Sequence, residues 1–282
     1  MIELRERITA LSSPRRVFAF FILFLAGASL WAGLLATFLF LRGENPLLKV
    51  SATDSAIYST VMYLYLLGLT AWFWLKIEKS SLLEMGLTFS RRSLQRLLGW
   101  SLFGFVMLAL LRLIEIFFHL AFVRLPGLSL VFLSNIAVAL LFAISEEVVF
   151  RGLILQTLLK GMGKYRAILI SAGIWALAHF LHPGLSFPES LVSMLGLCTA
   201  GILLGYAYTS TRSLWPPIGI HAGWIYFISV SGQMNVFSFT REGGLFHGNG
   251  SPTSGILGFA LTALFLIIFM NVDSSGEGRP QE

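Results

Sequence analysis

The sequence predicts an all-α, polytopic membrane protein: a helical bundle of about eight transmembrane helices with its N-terminus cytoplasmic. Three observations carry that expectation. Of the 282 residues, 56% are hydrophobic and only 12% charged, with 25 Phe and a mean hydropathy of +0.80, whereas a soluble domain carries about 25% charged residues. The apolar residues gather in eight runs, most of them near the ~20 residues that cross a hydrocarbon core of ~30 Å. Within each run the hydrophobicity is continuous and does not alternate, so a membrane β-barrel pattern is absent. Helices remain as the structures that satisfy their own backbone in lipid.

The runs are 17–41, 56–75, 97–123, 130–159, 167–181, 191–209, 214–230 and 255–271. The first follows Arg15-Arg16 and is too long for a signal-peptide core, so it reads as a retained helix. The fifth is short. Between the second and third lies KIEKSSLLEMGLTFSRRSLQR, residues 76–96, an amphipathic inner linker expected on the cytoplasmic surface, where basic side chains meet anionic lipid. An ordinary basic loop is the alternative. Residues 231–254, rich in Gly, Ser and Asn, read as a flexible outer loop, and the polar tail from Asp273 as disordered. The chain thus divides into three N-terminal spans with the linker (1–129), a core (130–230), and an outer loop, last span and tail (231–282).

Charge orients the bundle. With the N-terminus inside, the inner segments hold Arg5, Arg7, Arg15, Arg16, Lys76, Lys79, Arg91, Arg92, Arg96, Lys160, Lys164, Arg166, Arg212 and Arg279, against Arg42, Lys49, Arg124 and Arg241 outside. Fourteen against four places both termini in the cytoplasm. The net charge of +6 is therefore topological, and no nucleic-acid partner is expected. The basic inner face, without an evident organelle signal, points to the plasma membrane of a bacterium or archaeon. A single cysteine, Cys198, rules out an intrachain disulfide and a cysteine metal cluster.

Against this apolar background one stretch stands out: ISEEVVFRGL, residues 144–153. Carboxylates at that depth cost ~2.5–3.5 kcal/mol on insertion scales, so they face the bundle interior and are paired. On a helix Glu147 and Arg151 are four apart and share a face. Glu146 is turned about 140° from Arg151, so the arginine orients one acid and leaves the other to a different partner. Two carboxylates in unlike environments are how acid and base roles are separated.

The expected partners are His179, in WALAH, and His221, in IHAGW. Counted from the cytoplasmic ends of their runs, Glu147 and His179 each lie twelve residues deep and His221 seven, roughly 18 Å and 10 Å at the helical rise. Tilt can bring all three into one polar chamber. There a carboxylate and an imidazole can hold a water molecule and take its proton, and a second imidazole can face the oxyanion. The apolar surroundings exclude stray water.

These residues resemble the CPBP family of type II CAAX endopeptidases and bacteriocin-processing or immunity proteins. EEVVFR matches its EExxxR signature, WALAH its FxxxH motif with Trp175 for Phe, and IHAGW the start of its HxxxN/D motif, over about residues 130–230. The resemblance implies an eight-helix-like glutamic intramembrane protease. In it Glu146 and His179 activate water, Glu147 and Arg151 support the site, and His221 helps bind the oxyanion. The chain departs from the pattern at Ile225, where Asn or Asp is expected; Asn235, Tyr226 and Trp224 are possible substitutes.

The rest of the polar inventory reads more plainly. Arg112, Glu115 and His119 share a stripe of the third run, favoured as a self-paired strip over a contribution to the substrate path. His182, before Pro183, reads as interfacial. Gly201 and Gly205 form a GxxxG packing face, and Pro216-Pro217 set the angle of the seventh helix. Two Glu and two His could ligate zinc, but HExxH is absent and Arg151 competes with a divalent cation, so no cofactor or obligatory metal is expected. Neither the GxGD motif of aspartyl intramembrane proteases nor the GxSG of rhomboids is present. The expected function is cleavage of a membrane-embedded or lipid-anchored protein near its terminus, with a zinc-dependent variant or a non-proteolytic immunity or transport protein as alternatives.

Overall fold

The computed structural model describes residues 2–45, 51–124, 127, 129–179, 187–239, 245–248 and 255–276. Lys49, His182, Pro183, Arg241, Arg279 and the tail from residue 277 lie outside them.

The chain is all-α apart from one small sheet. A short α1 (Ile2–Thr9) leads into α2 (Ser13–Leu41), which has Pro14 in its first turn. Next comes α3 (Ala52–Lys76), capped by Ser51, whose side chain accepts from the Asp54 N–H. The long α4 (Arg91–Phe117) is capped in the same way by Ser90. The fourth apolar run is one helical rod: α5 (Val131–Glu147), a π-helix (Val148–Leu155) and a last turn, α6 (Gln156–Leu159). There follow α7 (Lys164–His179), α8 (Phe187–Thr211), α9 (Trp215–Gln233) and α10 (Ile256–Gly276). Among the described residues four helices are long and apolar enough to cross a membrane: α2, Ile57–Lys76 of α3, α4 and α8. Ile256–Asn271 of α10 is a shorter apolar stretch.

Two sequence expectations need correcting. The third run does not stay helical to residue 123. His119 adopts a left-handed φ of 55°, and its N–H and that of Leu120 bond back to the carbonyls of Ile116 and Glu115. That double bond pattern is a Schellman stop, with a histidine where glycine is usual. Ala121–Val123 then form β1, which pairs antiparallel with β2 (Phe237–Phe239) in register Ala121 with Phe239. So part of the 231–254 segment is a strand, not loop. Hydropathy cannot separate a short aromatic strand from the end of an apolar helix, because both are simply apolar.

The 76–96 segment is also more ordered than a surface linker. A 3₁₀ turn (Leu82–Met85) is closed by a Ser81–Glu84 capping box and stopped by Gly86 at a φ of +88°. Its backbone docks on the end of the bundle where α6 stops and α9 starts, because Met85, Gly86 and Thr88 carbonyls accept from Gln156 Nε2, the Leu214 N–H and Trp215 Nε1. Met85 is buried, while Leu82, Leu83 and Phe89 remain exposed. Close by, Glu78 joins Arg16 at 2.8 Å to Lys160 at 2.7 Å and ties α2, the linker and α6 together.

Packing centres on α9, which lies against α4, α5 and α8; α8 in turn packs on α7 and α10. Glycines set the closest approaches. A Cβ at Gly219 would meet the Leu97 carbonyl at 2.8 Å, and one at Gly223 the Ser101 carbonyl at 2.2 Å. A Cβ at Gly104 would meet the Ile220 carbonyl at 2.2 Å. Only hydrogen at these positions lets α4 and α9 touch backbone to backbone. Gly201 likewise lets α8 approach the α7 backbone at Ala172, while Gly205 makes room for the Ile168 side chain. Large apolar side chains such as Phe18, Leu30, Leu133 and Phe117 remain exposed around the bundle, the surface expected of a protein whose solvent is hydrocarbon.

Candidate active site

Gly219 and Gly223 on one face of α9 pull it onto α4, and His221, two residues from each, points the opposite way. It meets Glu147, with Nδ1 2.9 Å from Oε1. The same Oε1 accepts from Arg151 Nη1 at 2.7 Å, and Arg151 Nη2 donates to the Gly201 carbonyl at 3.1 Å. Arg151 and Glu147 have no exposure to speak of, 1% and 0%. Glu147, Arg151 and His221 therefore form a buried, hydrogen-bonded unit spanning α5, the π-helix and α9, braced by α8. The Glu147 Oε2 is buried without a partner among the described residues.

Glu146 behaves differently. Its side chain keeps 18% of its exposure and lines a cavity of about 400 Å³ between α2, α3, the π-helix and α7. Its Oε2 accepts from Trp175 Nε1 at 3.2 Å and lies 3.2 Å from His179 Nε2 and 3.9 Å from His221 Nε2. The other ring nitrogen of His179, Nδ1, is 2.8 Å from the Trp175 carbonyl. A carbonyl only accepts, so Nδ1 carries hydrogen. The contact between Nε2 and a carboxylate oxygen then requires one further proton, shared by the Glu146–His179 pair. That proton and the Arg151 cation balance the two acids, which resolves the surplus charge evident in the sequence.

Trp175 is the residue that sequence reasoning passed over. It entered only as a replacement for Phe, yet it touches every part of the site: its N–H holds Glu146, its ring lies 5.3 Å from the Arg151 guanidinium, and its centroid is 4.3 Å from the His179 ring and 5.8 Å from that of His221. The available signal was chemical, because indole has a donor that phenyl lacks. A second missed feature is the π-helix. Its start at Val148 puts Glu146 and Glu147 in the last α-turn and Arg151 in the wider coil, and such segments concentrate at functional sites.

The other candidates fall elsewhere. Ile225 packs against the apolar core. Asn235 is exposed past the end of α9, and Tyr226 lines a separate apolar groove with Phe105 and Leu140. Trp224 is buried one turn from His221, its ring 6.3 Å away and its Nε1 without a partner among the described residues. Arg112 pairs with Glu115 and lies over the β2 rings Phe237 and Phe239, which fits the self-paired strip. No group of three or more His, Cys, Asp or Glu among the described residues is arranged to hold a metal ion.

The arrangement can do acid–base work on a water molecule: one open carboxylate with a proton-sharing imidazole, and beside it a locked carboxylate that orients a second imidazole. The family model for the type II CAAX prenyl endopeptidase Rce1-like proteins matches residues 127–227. No curated protein and no solved structure matches the chain. The matched segment begins just before α5 and ends within α9, so it contains Glu146, Glu147, Arg151, His179 and His221. Over residues 127–227 the chain is therefore similar to the Rce1-like type II CAAX prenyl endopeptidases, enzymes that hydrolyse peptide bonds.

Proposed function

We propose that this chain is a glutamic-type intramembrane endopeptidase that cleaves a membrane-embedded or lipid-anchored protein near its terminus. Glu146, on the cavity wall, is the general base; its Oε2 is tied to Trp175 and His179, which leaves Oε1 to take the proton of water. Water held there gives its proton to the Glu146–His179 pair as its oxygen attacks the scissile carbonyl, and the pair returns a proton to the leaving amine. Glu147, Arg151 and His221 act as a unit that holds the site's charge and orients the second imidazole toward the reacting carbonyl. No metal is required, since Arg151 already occupies the place of the cation next to Glu147.

The observation that carries this reading is the 3.2 Å approach of His179 Nε2 to a carboxylate on the wall of a cavity otherwise lined by apolar side chains and Tyr63. Such a wall suits an apolar or lipidated segment and repels charged peptides. The bundle spans the membrane eight times with both termini cytoplasmic, in the plasma membrane of a bacterium or archaeon. Residues 130–230 form its catalytic core, 1–129 the flanking spans, and 231–282 the outer loop, last span and tail.

The test compares protein N- and C-termini in cells carrying the wild-type chain or Glu146→Gln, followed by cleavage of the identified peptide with purified protein. New termini should vanish with the substitution, which keeps size and hydrogen bonding but removes the base. Cleavage by the purified variant at the wild-type rate would refute the proposal and favour an immunity or transport protein, for which flux in proteoliposomes is the direct measurement.

A further inference from the structure

Peptide hydrolysis needs a donor for the oxyanion as well as a base for water. His221 is one source, but its Nδ1 is given to Glu147 and it is buried, and the next motif position, 225, is apolar. On the protease reading the scissile carbonyl comes to Glu146 from the cavity that this residue lines, which makes the cavity wall the place for a second donor. Of its eleven lining residues only three have polar side chains: Glu146, His179 and Tyr63. The first two are occupied with water and proton. Trp224, the buried indole near His221, does not line this cavity.

Tyr63 stands on α3, outside the family-matched segment. Its ring is fixed by an edge contact with Phe142, centroids 5.1 Å apart and planes at 83°. Phe142 precedes Glu146 by four residues on α5, so the phenol is braced by the turn that presents the carboxylate. The hydroxyl has no hydrogen-bond partner among the described residues. We infer that Tyr63 is a further catalytic residue, donating its phenol O–H to the oxyanion of the tetrahedral intermediate; this rests on the protease reading above.

The step balances as follows. Water loses a proton to Glu146 while its oxygen bonds to the scissile carbon. The carbonyl π pair moves onto oxygen, where Tyr63 donates a hydrogen bond and keeps its proton. Collapse breaks the C–N bond, and the proton held by Glu146 goes to the amine. One water is consumed, and one carboxyl and one amine are formed.

Tyr63→Phe removes the hydroxyl and keeps the ring on Phe142. In the full-length protein kcat should fall ~100- to 1000-fold, as for loss of one oxyanion donor, with KM and the thermal midpoint in detergent unchanged. Binding of a tetrahedral phosphonate peptide should weaken by the same factor, while binding of uncleaved substrate to the Glu146→Gln background should not change on adding Tyr63→Phe. Replacing Tyr63 with 3-fluorotyrosine, which retains the fold and makes the O–H a stronger donor, should shift kcat and leave KM alone. Wild-type kcat and phosphonate affinity in Tyr63→Phe, with Glu146→Gln inactive, overturn the role of Tyr63 and leave the protease reading standing. Cleavage that survives Glu146→Gln overturns the protease reading itself.

Discussion

Gly223→Ala puts the link between packing and chemistry under the most direct strain. The added Cβ would lie 2.2 Å from the Ser101 carbonyl oxygen and 2.7 Å from the Phe105 nitrogen. Ordinary contact begins at 3.4 Å, so the shortfall is 3.4 − 2.2 = 1.2 Å. Both obstacles are backbone, and no rotamer change relieves them; α9 has to move off α4 by about 1 Å, the kind of overpacking that costs ~1–3 kcal/mol. Better helix propensity returns ~1 kcal/mol at most. His221 sits two residues away and moves with the helix, stretching its 2.9 Å bond to Glu147. A displacement of about 1 Å at a catalytic group costs on the order of 100-fold in rate. The assay is a thermal melt in detergent alongside cleavage of the substrate peptide, with Gly99→Ala on α4 as control, because nothing lies within 4 Å of a Cβ there. Gly223→Ala should melt lower and cleave about 100-fold more slowly, while Gly99→Ala stays at wild type or slightly above in stability. Equal melting and equal activity for the two variants would refute the close-crossing argument.

Other expectations follow from the same contacts. Trp175→Phe keeps the ring between Arg151 and His179 but removes the N–H to Glu146, a bond to a charged group worth ~1.5–3 kcal/mol; steady-state kinetics should show kcat down about 10- to 100-fold at unchanged KM. Arg151→Leu strands Glu147 as a buried charge, and chemical or thermal unfolding should show a loss of ~3–5 kcal/mol. The double variant Arg151→Leu/Glu147→Leu should regain much of that stability without regaining activity. Cleavage by carefully purified protein should persist after chelation; loss on chelation with restoration by zinc would replace the glutamate-activated mechanism with a metal-dependent one.

How much was legible in the sequence varies by feature. The helical runs, the opposite fates of Glu146 and Glu147, and the choice of His179 and His221 as partners followed from spacing and from the cost of charge in lipid. Helix period and burial are local properties, and adjacent residues on one helix must diverge by about 100°. The β1–β2 pair and the docked linker were not legible, because each depends on hydrogen bonds to segments far away in the chain; the stop at His119 is local but is made by a histidine where glycine is the usual signal.

The sequence by itself determined the helical, membrane-protein class of the molecule and which polar side chains are paired in its interior, since a carboxylate in an apolar run has no cheap alternative to such a position. The tertiary structure alone decided which groups close around each carboxylate, through glycine-mediated helix crossings that bring His221 to Glu147 and through the indole of Trp175 at Glu146. A crossing is a property of two surfaces at once, and neither α4 nor α9 carries in its own residues the position at which the other will meet it.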